Sequence, residues 1–261
     1  MHSILKKIID HKLVEIEAAK AQNSLQDVKK ESSDAKPVRD FLKAIQTPGE
    51  ISLIAEVKKA SPSKGIIRED FNPVEIARAY EAAGASCISV LTDQEFFQGH
   101  RDFLVEVGNA ITLPTLRKDF IIDPWQVYDA RAAGADAVLL IAECLEADAL
   151  RELHGLINEL GMTALVELYD RENVAKVLAC QPDLVGVNNR DLNTFEVDLE
   201  HSIEIRKSLP DEVTFVSESG ISTNAEVSRL LRSNVDAILV GESLMREADI
   251  VAATKRLLGT E

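Results

Sequence analysis

Ala132-Ala133-Gly134-Ala135 runs almost directly into the apolar stretch 137–141, and the similar phrase Ala82-Ala83-Gly84-Ala85 runs into 86–91. In both, an alanine-rich helical end meets a glycine suited to the left-handed stop of a helix, and a β-favouring run follows at once. From Ile51 onward the chain keeps this alternation. The β-favouring runs are 53–57, 86–91, 114–118, 137–141, 163–167, 184–188, 214–218 and 237–241. The stretches between them carry helix starts. Asn72 before Pro73 and Asp123 before Pro124 offer a capping oxygen and a preset first-turn φ, and Thr223 with Glu226 has capping-box spacing. Eight strand–helix units of roughly 26 residues each match a closed barrel of eight parallel strands. An open doubly wound sheet is the alternative, but no Gly-x-Gly-x-x-Gly follows any strand. The expected fold is α/β: a (β/α)8 TIM barrel over 51–261, preceded by an N-terminal helical extension over 1–50.

Within the extension, Ile4, Ile8, Leu13 and Ile16 recur at roughly helical spacing, and a second apolar face of Val38, Phe41, Leu42 and Ile45 precedes Pro48 and Gly49. Lys6, Lys7, Asp10 and Lys12 interrupt any signal-peptide core, and the most apolar run, 137–142, is too short to span a bilayer. Cys87, Cys144 and Cys180 are far apart without a Cys-x-x-Cys pair, which fits a reducing cytoplasm. The histidines form no ligand-spaced pair, so no metal site is expected. Lys plus Arg number 29 against 44 Asp plus Glu, a formal net charge of -15. That balance argues against a nucleic-acid partner. A monomeric chain with neither nucleic acid nor membrane as partner is expected, and any anionic ligand needs a local cluster of cations.

Strand alternation turns Leu53, Ala55 and Val57 toward the helices and Ile54, Glu56 and Lys58 toward the barrel interior. The third run ends in Lys118, the fifth in Glu167, the sixth in Asn188 and the seventh in Glu218 followed by Ser219. These are carboxyl ends of strands, where barrel active sites are built. One charge at a strand end is ordinarily a solvated terminus or half of a surface ion pair. Several strands aiming polar groups at one mouth make a site the better reading. Ser219-Gly220 follows the seventh run and Gly241-Glu242-Ser243 the eighth, a common place for a barrel phosphate site. Glu242 must then offer its backbone and turn its carboxylate away. The polar loop Lys59-Ala60-Ser61-Pro62-Ser63-Lys64-Gly65 is a candidate lid with Gly65 as a hinge.

Four strings carry a resemblance: Glu56-Val57-Lys58-Lys59-Ala60-Ser61-Pro62-Ser63-Lys64-Gly65, Leu116-Arg117-Lys118-Asp119-Phe120-Ile121-Ile122-Asp123, Val185-Gly186-Val187-Asn188-Asn189-Arg190-Asp191-Leu192 and Ser217-Glu218-Ser219-Gly220-Ile221. In this order, and over nearly the whole chain, the sequence closely resembles the indole-3-glycerol phosphate synthase family. The resemblance implies ring closure of a phosphorylated small molecule, 1-(2-carboxyphenylamino)-1-deoxyribulose 5-phosphate, with loss of carbon dioxide and water in tryptophan biosynthesis. It implies no metal and no organic cofactor. By the same resemblance Lys118 is the general acid, Glu167 the base of the later dehydration, and Lys58 the lysine that meets the substrate carboxylate and assists proton transfer. Glu56 is implied to orient and charge-balance the lysines, and Asn188 and Glu218 to position the substrate's hydroxyls and amine. Ser219, Gly220, Gly241 and Glu242 look like the phosphate cradle, with Ser61 near it. Phe120 and Arg190 resemble positions around the anthranilate ring and its carboxylate. The N-terminal segment is implied to pack over the mouth and help exclude water.

The residues themselves agree with acid–base chemistry, since a lysine facing a carboxylate in a dry mouth can divide proton delivery and removal. Two other readings stay open here. Lys58 or Lys118 could act as a Schiff-base nucleophile, as in aldolases, or the chain could be a non-catalytic sensor of a phosphorylated ligand.

Overall fold

Both Ala-Ala-Gly-Ala phrases end helices in the left-handed conformation, with φ of +96° at Gly84 and +83° at Gly134. The computed structural model describes residues 3–191 and 194–261. Its strands in chain order are β1 (Ser52–Val57), β2 (Ala60–Ser61), β3 (Gly65–Ile66), β4 (Cys87–Leu91), β5 (Thr115–Lys118), β6 (Ala137–Ile141), β7 (Thr163–Leu168), β8 (Leu184–Asn188), β9 (Thr214–Glu218) and β10 (Ala237–Val240). β1 and β4 to β10 form a closed parallel barrel. It closes at β1, where Ile54 stands opposite Leu239 of β10 on one side and Cys87 of β4 on the other. The expected runs and the observed strands coincide to within a residue or so at each end.

The outer helices are α4 (Pro73–Ala82), α5 (Arg101–Ala110), α6 (Pro124–Ala132), α7 (Ala147–Glu159), α8 (Val174–Leu178), α9 (Leu199–Arg206), α10 (Asn224–Leu231) and α12 (Ile250–Leu258), with the short α11 (Glu242–Met245) directly after β10. Asn72 accepts from the amides of Val74 and Glu75, and both Asp123 with Gln126 and Thr223 with Glu226 close capping boxes. Leu53, Ala55 and Val57 pack outward against the helices. Ile54, Leu116, Leu139, Leu165, Val216 and Leu239 fill the barrel interior.

The extension contains α1 (Ser3–Gln22), α2 (Leu25–Ser33) and α3 (Phe41–Ala44). It serves both ends of the barrel. Leu5 and Ile8 of α1 border the cavity at the carboxyl ends of the strands. α2 lies along α6, and Phe41 and Ile45 join the interior core at the opposite end, where Cys87 Sγ meets the Phe41 carbonyl. One expectation needs correction: Leu13 is 53% exposed, and Lys12 takes its place on the buried face with Leu5, Ile8 and Ile16. The candidate lid after β1 carries local structure of its own. β2 and β3 pair as an antiparallel hairpin, with Ala60 opposite Ile66, so its backbone groups are partly satisfied within the loop.

Asp136, buried just before β6, ties the extension to the barrel. Its carboxylate accepts from the Arg39 amide at 2.7 Å, Arg39 Nε at 2.8 Å and the Thr115 amide at 2.7 Å. Alanine there would leave a buried amide and a guanidinium without their acceptor. Asp136→Ala is expected to lower the unfolding free energy in urea by about 3 kcal/mol; a loss under about 1 kcal/mol would contradict this role.

Candidate active site

The strand register delivers the polar side chains to one end of the barrel. Glu56 is the penultimate residue of β1, Lys118 ends β5, Glu167 is the penultimate residue of β7, and Asn188 and Glu218 end β8 and β9. With Lys58, Ser61, Phe120, Arg190, Ser219, Gly220, Gly241 and Glu242 they line a single cavity of about 570 Å³. Its apolar wall combines Ile4, Leu5 and Ile8 of α1 with Phe97, Leu139, Ile141 and Leu239.

At its floor, Lys118 Nζ donates to Glu167 Oε2 at 2.8 Å and pairs closely with Glu218 Oε2. Burial disfavours the charged amine, but the charges of Glu167, Glu218 and Glu56 outweigh it and raise the Lys118 pKa. The two carboxylates cannot share one ammonium equally. Burial also pushes both carboxyls up, but for Glu167 the charge of Lys118 and the hydrogen bond from Asn188 Nδ2 at 3.2 Å prevail and hold its pKa below the usual value. Glu218 is pushed up to about 8, first by burial and then by the negative charge of Glu167. Burial and neighbouring charge therefore favour the proton on Lys118 and on Glu218 and the ionised form of Glu167.

Lys58 and Arg190 are paired as well. Lys58 contacts Glu56, and Arg190 Nη2 donates to Glu242 Oε2 at 3.2 Å. Glu242 also meets Arg246 at 3.3 Å, so its carboxylate is held by two guanidinium groups.

Backbone geometry makes room for these groups. Ser219 and Gly220 have φ of +69° and +79°, consecutive left-handed residues in the turn after β9. A Cβ on Gly220 would come within 2.1 Å of Val197 Cγ1, so glycine answers both conformation and space. Asn189 steadies the turn by donating from Nδ2 to the Ser219 carbonyl at 3.2 Å and to Ser217 Oγ at 2.9 Å. Gly241 precedes α11 and leaves space for Glu56, whose Oε2 would lie 2.4 Å from an added Cβ.

The chain matches the family model described as indole-3-glycerol phosphate synthase over residues 5–257. A protein of that name from Rhodopirellula baltica is 54% identical over 229 residues, covering 88% of each chain. One from Neisseria meningitidis serogroup B is 47% identical over 260 residues, covering 98% of this chain and all of the relative. The chain belongs to the indole-3-glycerol phosphate synthase family. Solved structures share the barrel at low identity: a mutant tryptophan synthase alpha-subunit from Pyrococcus furiosus has a TM-score of 0.61 at 15% identity, covering 80% of this chain and 98% of the other. The N-acetylmannosamine-6-phosphate 2-epimerase of Clostridium perfringens also has a TM-score of 0.61 at 15% identity, over 87% and 98% of the two chains.

Every candidate residue read from the sequence of this synthase-family chain lines the cavity, while Leu192, the end of one motif, lies outside the described residues. Reading strand ends overlooked the contributions of Phe97, Lys64 and Arg246. Arg246 had a signal, since it stands four residues after Glu242, at the C-cap of the short α11. Gly186, inside β8, also escaped notice as a site residue. An added Cβ there would lie 2.3 Å from Glu218 Oε1 and 3.2 Å from Leu165 Cδ1. Gly186→Ala is expected to displace the Glu218 carboxyl and lower kcat by about tenfold or more in a folded protein; unchanged steady-state kinetics would show that the close approach does not matter.

Proposed function

We propose that this chain, an indole-3-glycerol phosphate synthase of tryptophan biosynthesis, acts as a carboxy-lyase that closes the indole ring of 1-(2-carboxyphenylamino)-1-deoxyribulose 5-phosphate by general acid–base catalysis. The observation that carries the reading is the Lys118 ammonium held between Glu167 and Glu218 at the floor of the cavity. A protonated lysine is a donor and a poor nucleophile, which favours the acid role over a Schiff base. In this reading Lys118 gives a proton to the sugar carbonyl oxygen as the ring carbon bonds to its carbon. Loss of carbon dioxide returns the electron pair to the ring. The hydroxyl so formed then takes a proton from Lys58 and leaves as water, while Glu167 removes the ring proton whose loss restores the indole.

Lys58 is assigned to the substrate carboxylate and to proton transfer, with Glu56 holding it. Arg190 and Phe120 are assigned to the anthranilate group, and Asn188 and Glu218 to the hydroxyls and amine. Ser219, Gly220, Gly241 and the backbone of Glu242, with Ser61 nearby, are assigned to the phosphate, supported by the left-handed turn and by the free amides that begin any helix. The reading includes a monomeric, cytoplasmic chain, and its three free cysteines fit a reducing compartment.

Purified protein mixed with the carboxyphenylamino sugar phosphate is expected to give rising indole fluorescence. Ligand binding without fluorescence would favour the sensor, and borohydride trapping of a lysine adduct would favour the Schiff base. Lys118→Ala is expected to lower kcat by about 10²-fold or more while KM changes far less. Near-normal turnover would remove Lys118 from the acid role.

A further inference from the structure

Lys12 is the one charge on the buried face of α1, between Ile8 and Ile16, and its side chain is 1% exposed. A lone ammonium so placed is costly unless carboxylates surround it. Nζ lies 2.9 Å from Asp93 Oδ2, 3.0 Å from Asp119 Oδ1 and 2.9 Å from Glu15 Oε2. Asp93 follows β4 and Asp119 follows β5, so Lys12 bridges the ends of two adjacent barrel strands. Asp119 is joined through one peptide bond to Lys118.

The strand ends that carry the two aspartates are already joined by the β4–β5 ladder and by the Thr92 amide, which donates to the Lys118 carbonyl at 3.1 Å; what Lys12 adds is the positive charge between the two carboxylates. Asp93 Oδ1 accepts from the Phe96 amide at 2.8 Å within its own loop. Asp119 accepts from Thr92 Oγ1 at 2.5 Å and from Arg117 Nη2 at 3.2 Å, and Arg117 continues to Asp129 at 2.6 Å. Without the Lys12 ammonium the two buried carboxylates repel, and Asp119 is left with Thr92, Arg117 and the Phe120 amide to hold its orientation. The helix that supplies this ammonium also supplies Ile4, Leu5 and Ile8 to the cavity wall. Closure of the mouth and placement of Lys118 thus share one structural element.

We propose that Lys12 is a positioning residue for the reaction: it draws Asp93 and Asp119 together beneath α1 and through Asp119 sets the position of Lys118. The inference rests on Lys118 being the proton donor. A double-mutant cycle tests the route, with Lys12→Met, Asp119→Asn and the combined variant assayed for kcat and KM. Trp125, the single tryptophan, donates from Nε1 to the Asn23 carbonyl at 2.9 Å just beyond α1, so its emission reports whether the helix remains docked.

Each single variant is expected to lower kcat about tenfold or more, with KM within about threefold and Trp125 emission unchanged, and the combined variant is expected to be no slower than the worse single one. Turnover within about twofold of the parent, effects that multiply, or a red-shifted Trp125 accompanying the loss would each overturn the route through Asp119. Should Lys12→Met not fold, Lys12→Arg enters the same cycle with the same criteria, because the longer planar fork cannot reproduce the three-carboxylate geometry. An inactive parent, or an active Lys118→Ala, would overturn the reading of Lys118. An active parent with an inactive Lys118→Ala and independent single effects would overturn only the role of Lys12.

Discussion

One ammonium shared by two buried carboxylates is the constraint around which the barrel mouth is arranged. Lys118 comes from β5, Glu167 from β7 and Glu218 from β9, so three separate strands must end at the right height for the cluster to exist. Two carboxylates and one amine leave a surplus negative charge in a region that solvates it poorly, and the surplus is relieved by a proton kept on Glu218. Asn188 favours ionisation of Glu167. Gly186 leaves room for the other carboxyl. The result is a site stocked with both a donor and an acceptor of protons, as ring closure followed by dehydration requires.

The same logic of internal pairing runs through the rest of the molecule. The formal charge of -15 does not starve the anion site of cations, because Lys58, Lys118, Arg190, Lys64 and Arg246 all reach the cavity. Most are already matched to carboxylates, so an anionic substrate meets oriented rather than bare charges. Orientation favours specificity, because a guanidinium or ammonium held in place loses less entropy when it meets its ligand. The acidic exterior acts at longer range and is screened within about 8 Å at physiological salt.

The barrel was legible because its signals are local. Asn72-Pro73 and Asp123-Pro124 start helices, Gly84 and Gly134 stop them, and each β-favouring run is short and bounded. The polar residues at strand ends were legible because alternation in β1 carries Glu56 and Lys58 to the side opposite Leu53 and Val57. Lys12 was hidden for the opposite reason. Spacing along α1 suits Leu13 about as well as Lys12, and hydrophobicity favours the leucine; only Asp93 and Asp119, distant in sequence, reverse the choice. The hairpin of β2 and β3 and the placement of Phe41 at the far end of the barrel likewise depend on contacts that no local pattern announces.

Retention of a proton by Glu218 beside an ionised Glu167 is the central expectation for the barrel mouth. Infrared titration of the carboxylic C=O stretch, comparing the protein with its Glu218→Gln variant, measures this directly. The expected result is a buried carboxyl band present at neutral pH, lost with a midpoint of about 8, and missing from the variant. Identical spectra for the two proteins at neutral pH, with no carboxyl titrating above the ordinary glutamate range, would contradict it.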